Sequence, residues 1–171
     1  LDELYAILKT SYDKVKAAYR KAIALPEATN DSEVMVYYIQ NLDTEAYVYS
    51  FEGAGRYNGA LRTSEMTDAA DRNYWFYLRP GAAENEYYIY NWKTGKAAGT
   101  SNNDYIYING SVDPTSYTMT INEDKTGFII STTDGSWTYS STGYVQSKSS
   151  SAIWNLIPIG KFDTTSIETI I

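Results

Sequence analysis

Aromatic side chains close to carboxylates and amides are the residues of this sequence whose types and spacing could do chemistry. Asp134 and Trp137 fall in one predicted hairpin, and Tyr144 and Gln146 fall on the strand after it. A sugar ring presents an apolar face of C–H bonds and a rim of hydroxyls, so its site needs an aromatic platform beside a carboxylate or amide. This set predicts a carbohydrate site with Trp137 as the platform and Asp134 as an acceptor for sugar hydroxyls.

A second set of the same kind lies earlier in the chain. Asn91 and Trp92 open a predicted hairpin whose neighbouring strand carries Tyr105 and Asn109. The alternative is that Asn91, like Asp134, only shapes a turn and that the tryptophans pack beneath loops. The turn-forming role is the more usual one for Asn91, whereas both alternatives stay open for Trp92 and Trp137, because the Gly- and Ser-rich neighbourhood of these hairpins offers little to bury a large ring.

A third set surrounds a long predicted loop and consists of Tyr57, Arg62 and Glu65. It ranks below the other two, because an Arg in such a loop more often forms a solvated ion pair than a ligand site.

Most enzyme classes are disfavoured by residue types. The sequence has no Cys and no His, which excludes Ser–His and Cys–His nucleophilic catalysis and removes the commonest general base and metal ligand. Glycoside hydrolysis needs two carboxylates that face each other across a cleft, whereas the acidic residues here are scattered over predicted turns. Phosphate-cradling glycine loops and EF-hand spacing are also missing. We therefore expect a noncatalytic protein without a cofactor or metal.

The charge and composition of the chain limit which binding partners are expected. The chain has 171 residues, a net charge of -7 and a pI near 4.6, which argues against binding nucleic acid or an anionic membrane surface. No apolar run reaches the roughly 20 residues that span a bilayer. With 18 Tyr beside 4 Trp and 4 Phe, there are more rings than one core of this size can use, so some must reach the surface.

The N-terminal segment is predicted to be a helix from Leu1 to about Leu25, ended by Pro26. Two interpretations of its apolar stripe stay open: a helix packed on the domain that follows, or the end of a helical linker from an upstream module. The chain begins with Leu, and we expect a processed protein or a segment of a longer one. The stripe consists of Leu4, Ile7, Leu8, Tyr12, Val15, Ala18, Tyr19, Ala22 and Ile23.

The elements that must position the three sets are short strands. Tyr37–Asn41, Tyr87–Asn91 and Phe128–Thr132 each read aromatic-x-Ile-x-polar, so their first and third residues share one face of a strand. Each is followed by a turn, two more short strands and a closing pair of apolar residues, which predicts three four-stranded units. The predicted organisation is a helix or linker over residues 1–26, an all-β domain over 33–161 and a C-terminal tail over 162–171.

Twelve strands in three sets of four can bury their apolar faces by closing into a barrel. The stretches Tyr87-x-Ile89-x-Asn91-x-x-Thr94-Gly95-Lys96, Tyr37-x-Ile39-x-Asn41 and Trp154-x-Leu156-x-Pro158 resemble the repeats of the β-trefoil, in particular ricin-type lectin domains. The resemblance implies a six-stranded barrel capped by three hairpins, with up to three shallow sugar sites.

Two features of ricin-type repeats are missing from this sequence. The Gln-x-Trp triplet that usually ends a repeat is reduced to Trp154, and the sugar-binding Asp of the second strand does not occur in 46–48, 96–98 or 137–139. The resemblance therefore transfers a fold but no particular binding residue.

Together these observations predict a noncatalytic carbohydrate-binding module, with glycans and adjoining domains of a longer chain as partners. The setting expected for it is a larger secreted or cell-surface glycan-processing protein. The alternative is a trefoil for protein–protein interaction or a structural spacer. Three expectations bear on the fold: loss of the Trp137 ring leaves it intact, Trp154 points into the core, and a chain starting at Ser32 still folds.

Overall fold

Alternating apolar and polar residues form twelve strands, four in each of three successive parts of the chain. The computed structural model describes the backbone of residues 1–19 and 23–165 and the side chains of residues 1–14 and 23–165. One helix, α1 (Asp2–Tyr19), precedes the strands, and a 3-10 turn (Arg72–Tyr74) lies before the fourth strand. The strands are β1 (Glu33–Asn41), β2 (Tyr47–Ser50), β3 (Leu61–Ser64), β4 (Phe76–Pro80), β5 (Glu86–Asn91), β6 (Gly99–Thr100), β7 (Ile106–Tyr107), β8 (Tyr117–Ile121), β9 (Phe128–Ser131), β10 (Ser136–Tyr139), β11 (Val145–Lys148) and β12 (Trp154–Asp163).

Six of the strands close into an antiparallel barrel. Around the ring, β1 pairs with β4, β4 with β5, β5 with β8, β8 with β9, β9 with β12, and β12 returns to β1. Closure leaves the barrel without a free edge. The predicted all-β trefoil barrel preceded by one helix is confirmed.

The other six strands form three hairpins, β2–β3, β6–β7 and β10–β11, which cover one end of the barrel. Isolated bridges join the second strand of each hairpin to that of another, so the three strands surround a common pseudo-threefold axis. The bridged pairs are Ala60 with Tyr107, Tyr105 with Gln146, and Arg62 with Tyr144.

The core repeats the pattern of the first strand of each unit. Ile39, Ile89 and Ile130 are fully buried at equivalent positions of β1, β5 and β9. The hairpins add a second layer to the same core, because one face of each lies against the end of the barrel. That layer comprises Val48, Leu61, Ala98, Ile106, Trp137 and Val145.

Buried asparagines shape the turns after β1 and β5. The Oδ1 atoms of Asn41 and Asn91 accept hydrogen bonds from the backbone N–H groups of Thr44 and Thr94, both at 3.0 Å. Four residues after the first asparagine, Glu45 has a φ of 61°, and the equivalent residue in the second unit is a glycine with a φ of 66°. Glycine adopts this left-handed backbone conformation at little cost in free energy, because it has no Cβ atom.

The segment before β1 packs on the domain. Leu25 and Ala28 lie against the main core, and the Tyr87 hydroxyl donates to the Pro26 carbonyl at 2.7 Å. Arg79 holds the same segment through the Thr29 carbonyl at 2.9 Å. Residues 25–29 therefore pack on the domain, ahead of its predicted start at residue 33.

The described part of the apolar stripe of helix α1 faces solvent. Leu4, Ile7, Leu8 and Tyr12 are all exposed. Residues 23–29 are not helical, so the predicted helix end at Leu25 is too late. Val15, Ala18, Tyr19 and Ala22 of the predicted stripe lie outside the described side chains. Within the described residues, no helix is long and apolar enough to cross a membrane.

The end of the domain also lies later than predicted. β12 runs to Asp163 and pairs with the start of β1, where Phe162 lies opposite Val34. Phe162 packs in a second apolar cluster with Val36 and Trp92. The first two residues assigned to the tail thus belong to the last strand, and residues 166–171 lie outside the described part of the chain.

Candidate functional site

Trp137, the expected sugar platform of the third unit, is a core residue. Its side chain has no exposed surface, and its ring makes edge contacts with Tyr117 at 5.3 Å and Trp154 at 6.1 Å between centroids. The prediction of an exposed ring is wrong because the hairpin is polar in sequence but lies with one face against the barrel. Trp154 is buried as expected.

The second predicted set loses Trp92 and Asn91 in the same way. Trp92 is 1% exposed and packs against Tyr77, with 5.7 Å between ring centroids. Asn91 is fully buried, and its Nδ2 donates to the carbonyls of Asn73 at 2.9 Å and Trp75 at 3.3 Å. The expectation that Trp92 is exposed is therefore wrong, and Asn91 has the structural role named as its alternative.

Of the remaining members of the two sets, Tyr105 and Tyr144 meet each other, and the others have separate roles. Asn109 ties two loops together, because its Nδ2 donates to the Asn58 carbonyl at 2.7 Å and its Oδ1 accepts from Ser111. Gln146 pairs with Thr138 inside the third hairpin. Neither predicted set therefore exists as a single site.

Asp134 lies in a cleft lined by polar side chains. The cleft has a volume of about 340 Å³, and the aromatic platform required for sugar stacking is not among its lining residues. At its edge Lys148 and Asp104 form an ion pair with 2.7 Å between Nζ and Oδ2. The cleft is lined by Thr100, Ser101, Asn102, Asp104, Thr115, Thr132, Asp134 and Ser147.

Tyrosines from all three predicted sets meet on the pseudo-threefold axis. The ring centroids of Tyr57, Tyr105 and Tyr144 form a triangle with sides of 5.8, 5.4 and 5.4 Å. All three rings are half-buried. The Arg62 guanidinium lies 4.6 Å from the Tyr144 ring centroid, and that of Arg56 lies 4.7 Å from Tyr57. We call these five residues the axial patch.

Burial and the neighbouring arginines act in opposite directions on tyrosines beside the axial patch. Burial raises the pKa of Tyr107, and the Arg56 charge opposes that rise. The pKa of Tyr49 is likewise raised by burial and held back by Arg62. Among the described side chains, burial raises the pKa of six tyrosines above the ordinary 10.0: Tyr37, Tyr49, Tyr77, Tyr87, Tyr107 and Tyr117.

A cleft on the first hairpin combines the groups that a sugar site needs. Its volume is about 410 Å³. The strand register sets Gln40 opposite Tyr47 and Tyr47 opposite Ser64, so that Glu65 follows directly. We call it the first-hairpin cleft; it is lined by Gln40, Thr44, Glu45, Ala46, Tyr47 and Glu65.

The sequence predictions missed this cleft except for Glu65. Strand periodicity could have indicated it, because Ile39 and Val48 point inward and their neighbours Gln40 and Tyr47 must then face outward. The pairing of Gln40 with Tyr47 depends on the length of the turn between β1 and β2, which sequence periodicity does not determine.

Solved structures with little sequence in common share this fold. The BEL β-trefoil aligns with a TM-score of 0.58 and 12% identity, covering 80% of this chain and 100% of its own. The cytolethal distending toxin of Haemophilus ducreyi aligns with a TM-score of 0.55 and 16% identity, covering 81% of this chain and 89% of its own. The GlcNAcα1-4Gal releasing endo-β-galactosidase from Clostridium perfringens aligns with a TM-score of 0.57 and 15% identity. The alignment covers 73% of this chain but only 32% of that enzyme.

No protein-family model and no curated protein sequence matches this chain. The structural likeness establishes a β-trefoil and leaves the function to be argued from the surface.

Proposed function

We propose that this β-trefoil is a noncatalytic carbohydrate-binding module that holds a sugar in the first-hairpin cleft. The observation that carries the proposal is the position of the Tyr47 ring beside the Gln40 amide and the Glu65 carboxylate in one cleft. A tyrosine face can stack on the C–H face of a sugar, while an amide and a carboxylate pair with its hydroxyls.

The platform of the cleft is held in place before a ligand arrives. Tyr38 meets the Tyr47 ring edge-on, with 5.9 Å between centroids and 78° between planes. The Tyr38 hydroxyl donates in turn to the Ala69 carbonyl at 2.8 Å. Both contacts restrict the Tyr47 ring, which lowers the ordering cost of stacking a sugar on it.

The polar groups of the cleft are also oriented. Gln40 Nε2 donates to the Glu45 carbonyl at 3.0 Å, which leaves the amide oxygen to accept from a sugar hydroxyl. Glu65 is exposed and can accept further hydrogen bonds. Two carboxylates in the lining favour a neutral sugar, because an anionic one would be repelled.

The shared fold indicates which sugars to test first. One protein that shares this fold over 32% of its length is named as a GlcNAcα1-4Gal releasing endo-β-galactosidase, so galactosides are the first probes. We extend the proposal to a module of a larger secreted or cell-surface glycan-processing protein, on the basis of the acidic, Tyr-rich composition.

Isothermal titration with lactose and a panel of other neutral oligosaccharides tests the proposal. We expect binding in the millimolar to micromolar range, and Tyr47→Ala should weaken it roughly tenfold, the loss expected for a stacked ring. Tyr88→Ala is the matched control, since Tyr88 is a half-buried tyrosine of β5 outside the cleft lining. Equal effects of the two substitutions, or no binding across the panel, would contradict the proposal.

A protein-interaction module is the second candidate, and the exposed stripe of α1 favours it. Leu4, Ile7 and Leu8 are 58%, 63% and 60% exposed, and apolar surface of this kind gains free energy when another protein covers it. If no sugar binds, and replacing these three residues with serine abolishes association with an adjoining domain of the parent chain, this candidate is favoured.

A further inference from the structure

We propose that the axial patch is a second binding site, separate from the first-hairpin cleft, and that it takes a saccharide bearing a carboxylate. The inference rests on the proposed function only in assuming that the module binds saccharides. The patch lies where the three hairpins meet, and its residues come from three separate parts of the chain.

The aromatic part of the site arises from a departure from threefold symmetry. Tyr105 and Tyr144 occupy equivalent positions before β7 and β11, where the first unit has Ala60. Tyr57, from the loop before β3, lies 5.8 and 5.4 Å from the other two rings and completes the triangle. The three half-buried rings form an apolar surface with hydroxyl groups, which suits the C–H face and the hydroxyl rim of a sugar.

The charge of the patch distinguishes it from the rest of this acidic chain. Arg56 is exposed, and its Nη2 donates to the Tyr57 hydroxyl at 2.6 Å. Arg62 lies over the Tyr144 ring and within 5.1 Å of the Phe51 ring centroid. Among the described residues, neither guanidinium forms an ion pair with a carboxylate; the ion pair seen there joins Lys148 and Asp104.

The arginines have unused donors as well as unpaired charge. In the described part of the chain, Arg62 makes one hydrogen bond, from Nη2 to the Thr142 carbonyl at 3.2 Å, and its Nη1 makes none. A guanidinium has five N–H donors arranged to match a carboxylate. Aromatic rings and unpaired guanidinium groups on one surface therefore select an anionic sugar over a neutral one.

The test compares two probes of equal length: a trimer of galacturonic acid and a neutral trimer of galactose with the same linkage. We expect the full chain to bind the acidic trimer about tenfold more tightly, in line with the strength of charge-assisted hydrogen bonds. Arg56→Gln should weaken that binding roughly five- to tenfold, and about 0.5 M NaCl should weaken it in the same direction. Lys93→Gln, which removes an exposed charge in the turn after β5, should change nothing.

A second pair of variants distinguishes the axial patch from the first-hairpin cleft. Tyr105→Ala should weaken the acidic trimer and leave neutral sugar binding unchanged, whereas Tyr47→Ala should do the reverse. Neutral binding at Tyr47 without a preference for the acidic trimer would overturn this inference and leave the proposed function standing. Acidic binding that depends on Arg56, without neutral binding, would support this inference and contradict the first-hairpin site. Equal effects of Arg56→Gln and Lys93→Gln would also overturn it.

Discussion

Replacing Trp137 with alanine should destabilise the domain. The side chain is fully buried and makes edge contacts with Tyr117 and Trp154. Removing a buried ring of this size leaves a cavity that costs about 3–5 kcal/mol. For a chain of this length, that loss lowers the melting temperature by roughly 6–20 °C. The hydrogen bond from Trp154 Nε1 goes to the backbone carbonyl of Trp137 and survives the substitution.

Urea unfolding followed by circular dichroism measures the change in free energy, and titration with neutral sugar at a temperature where the variant is folded measures binding. Trp137→Phe keeps a ring in the cavity and should lose less than half as much stability, roughly 1–2 kcal/mol. Tyr47→Ala should show the opposite profile, with weakened binding and a small change in stability. A Trp137→Ala variant that melts like the parent but no longer binds sugar would refute the burial argument.

Three further predictions concern the turns, the N-terminal segment and the tyrosines. Asn91→Ala leaves the Thr94 N–H and the Asn73 carbonyl without their partner, while the Trp75 carbonyl keeps its bond from the Trp92 N–H. The substitution should cost about 2–3 kcal/mol in urea unfolding, and a loss below about 0.5 kcal/mol would show that water replaces the side chain. A chain starting at Ile23 should keep the stability of the parent domain. A chain starting at Ser32 lacks Leu25 and should be about 2–4 kcal/mol less stable. Equal stability of the two chains would mean that residues 23–31 contribute nothing to the free energy of unfolding. Burial raises the pKa of Tyr117 above 10.0, so the stability from its neutral phenol is complete below pH 10 and is lost as pH rises through the folded pKa. Absorbance at about 295 nm should show a late phenolate fraction that titrates together with unfolding; a single titration near the ordinary pKa, in a folded protein, would contradict it.

The sequence by itself determined the barrel. Alternation along β1, β5 and β9 places Ile39, Ile89 and Ile130 on one face, and a strand with one apolar face must bury it. The structure buries all three completely. The unit length and the turn residues could also be predicted, because Asn, Asp and Gly between short strands are typical of turns. Strand ends differ from the predictions by a few residues, since pairing partners decide where a strand ends.

Only the tertiary structure decided which aromatic side chains are buried and which can meet a ligand. Trp137 stands among Gly135, Ser136 and Thr138, and nothing local indicates that the end of the barrel covers it. Tyr105 and Tyr144 belong to different predicted sites, yet they meet on the pseudo-threefold axis. Burial depends on partners that are far away in the chain, and their distance is set by barrel closure and hairpin register. Local composition does not indicate how the barrel closes or which hairpin residues pair. The strands could therefore be predicted from the sequence, and the surfaces between them could not.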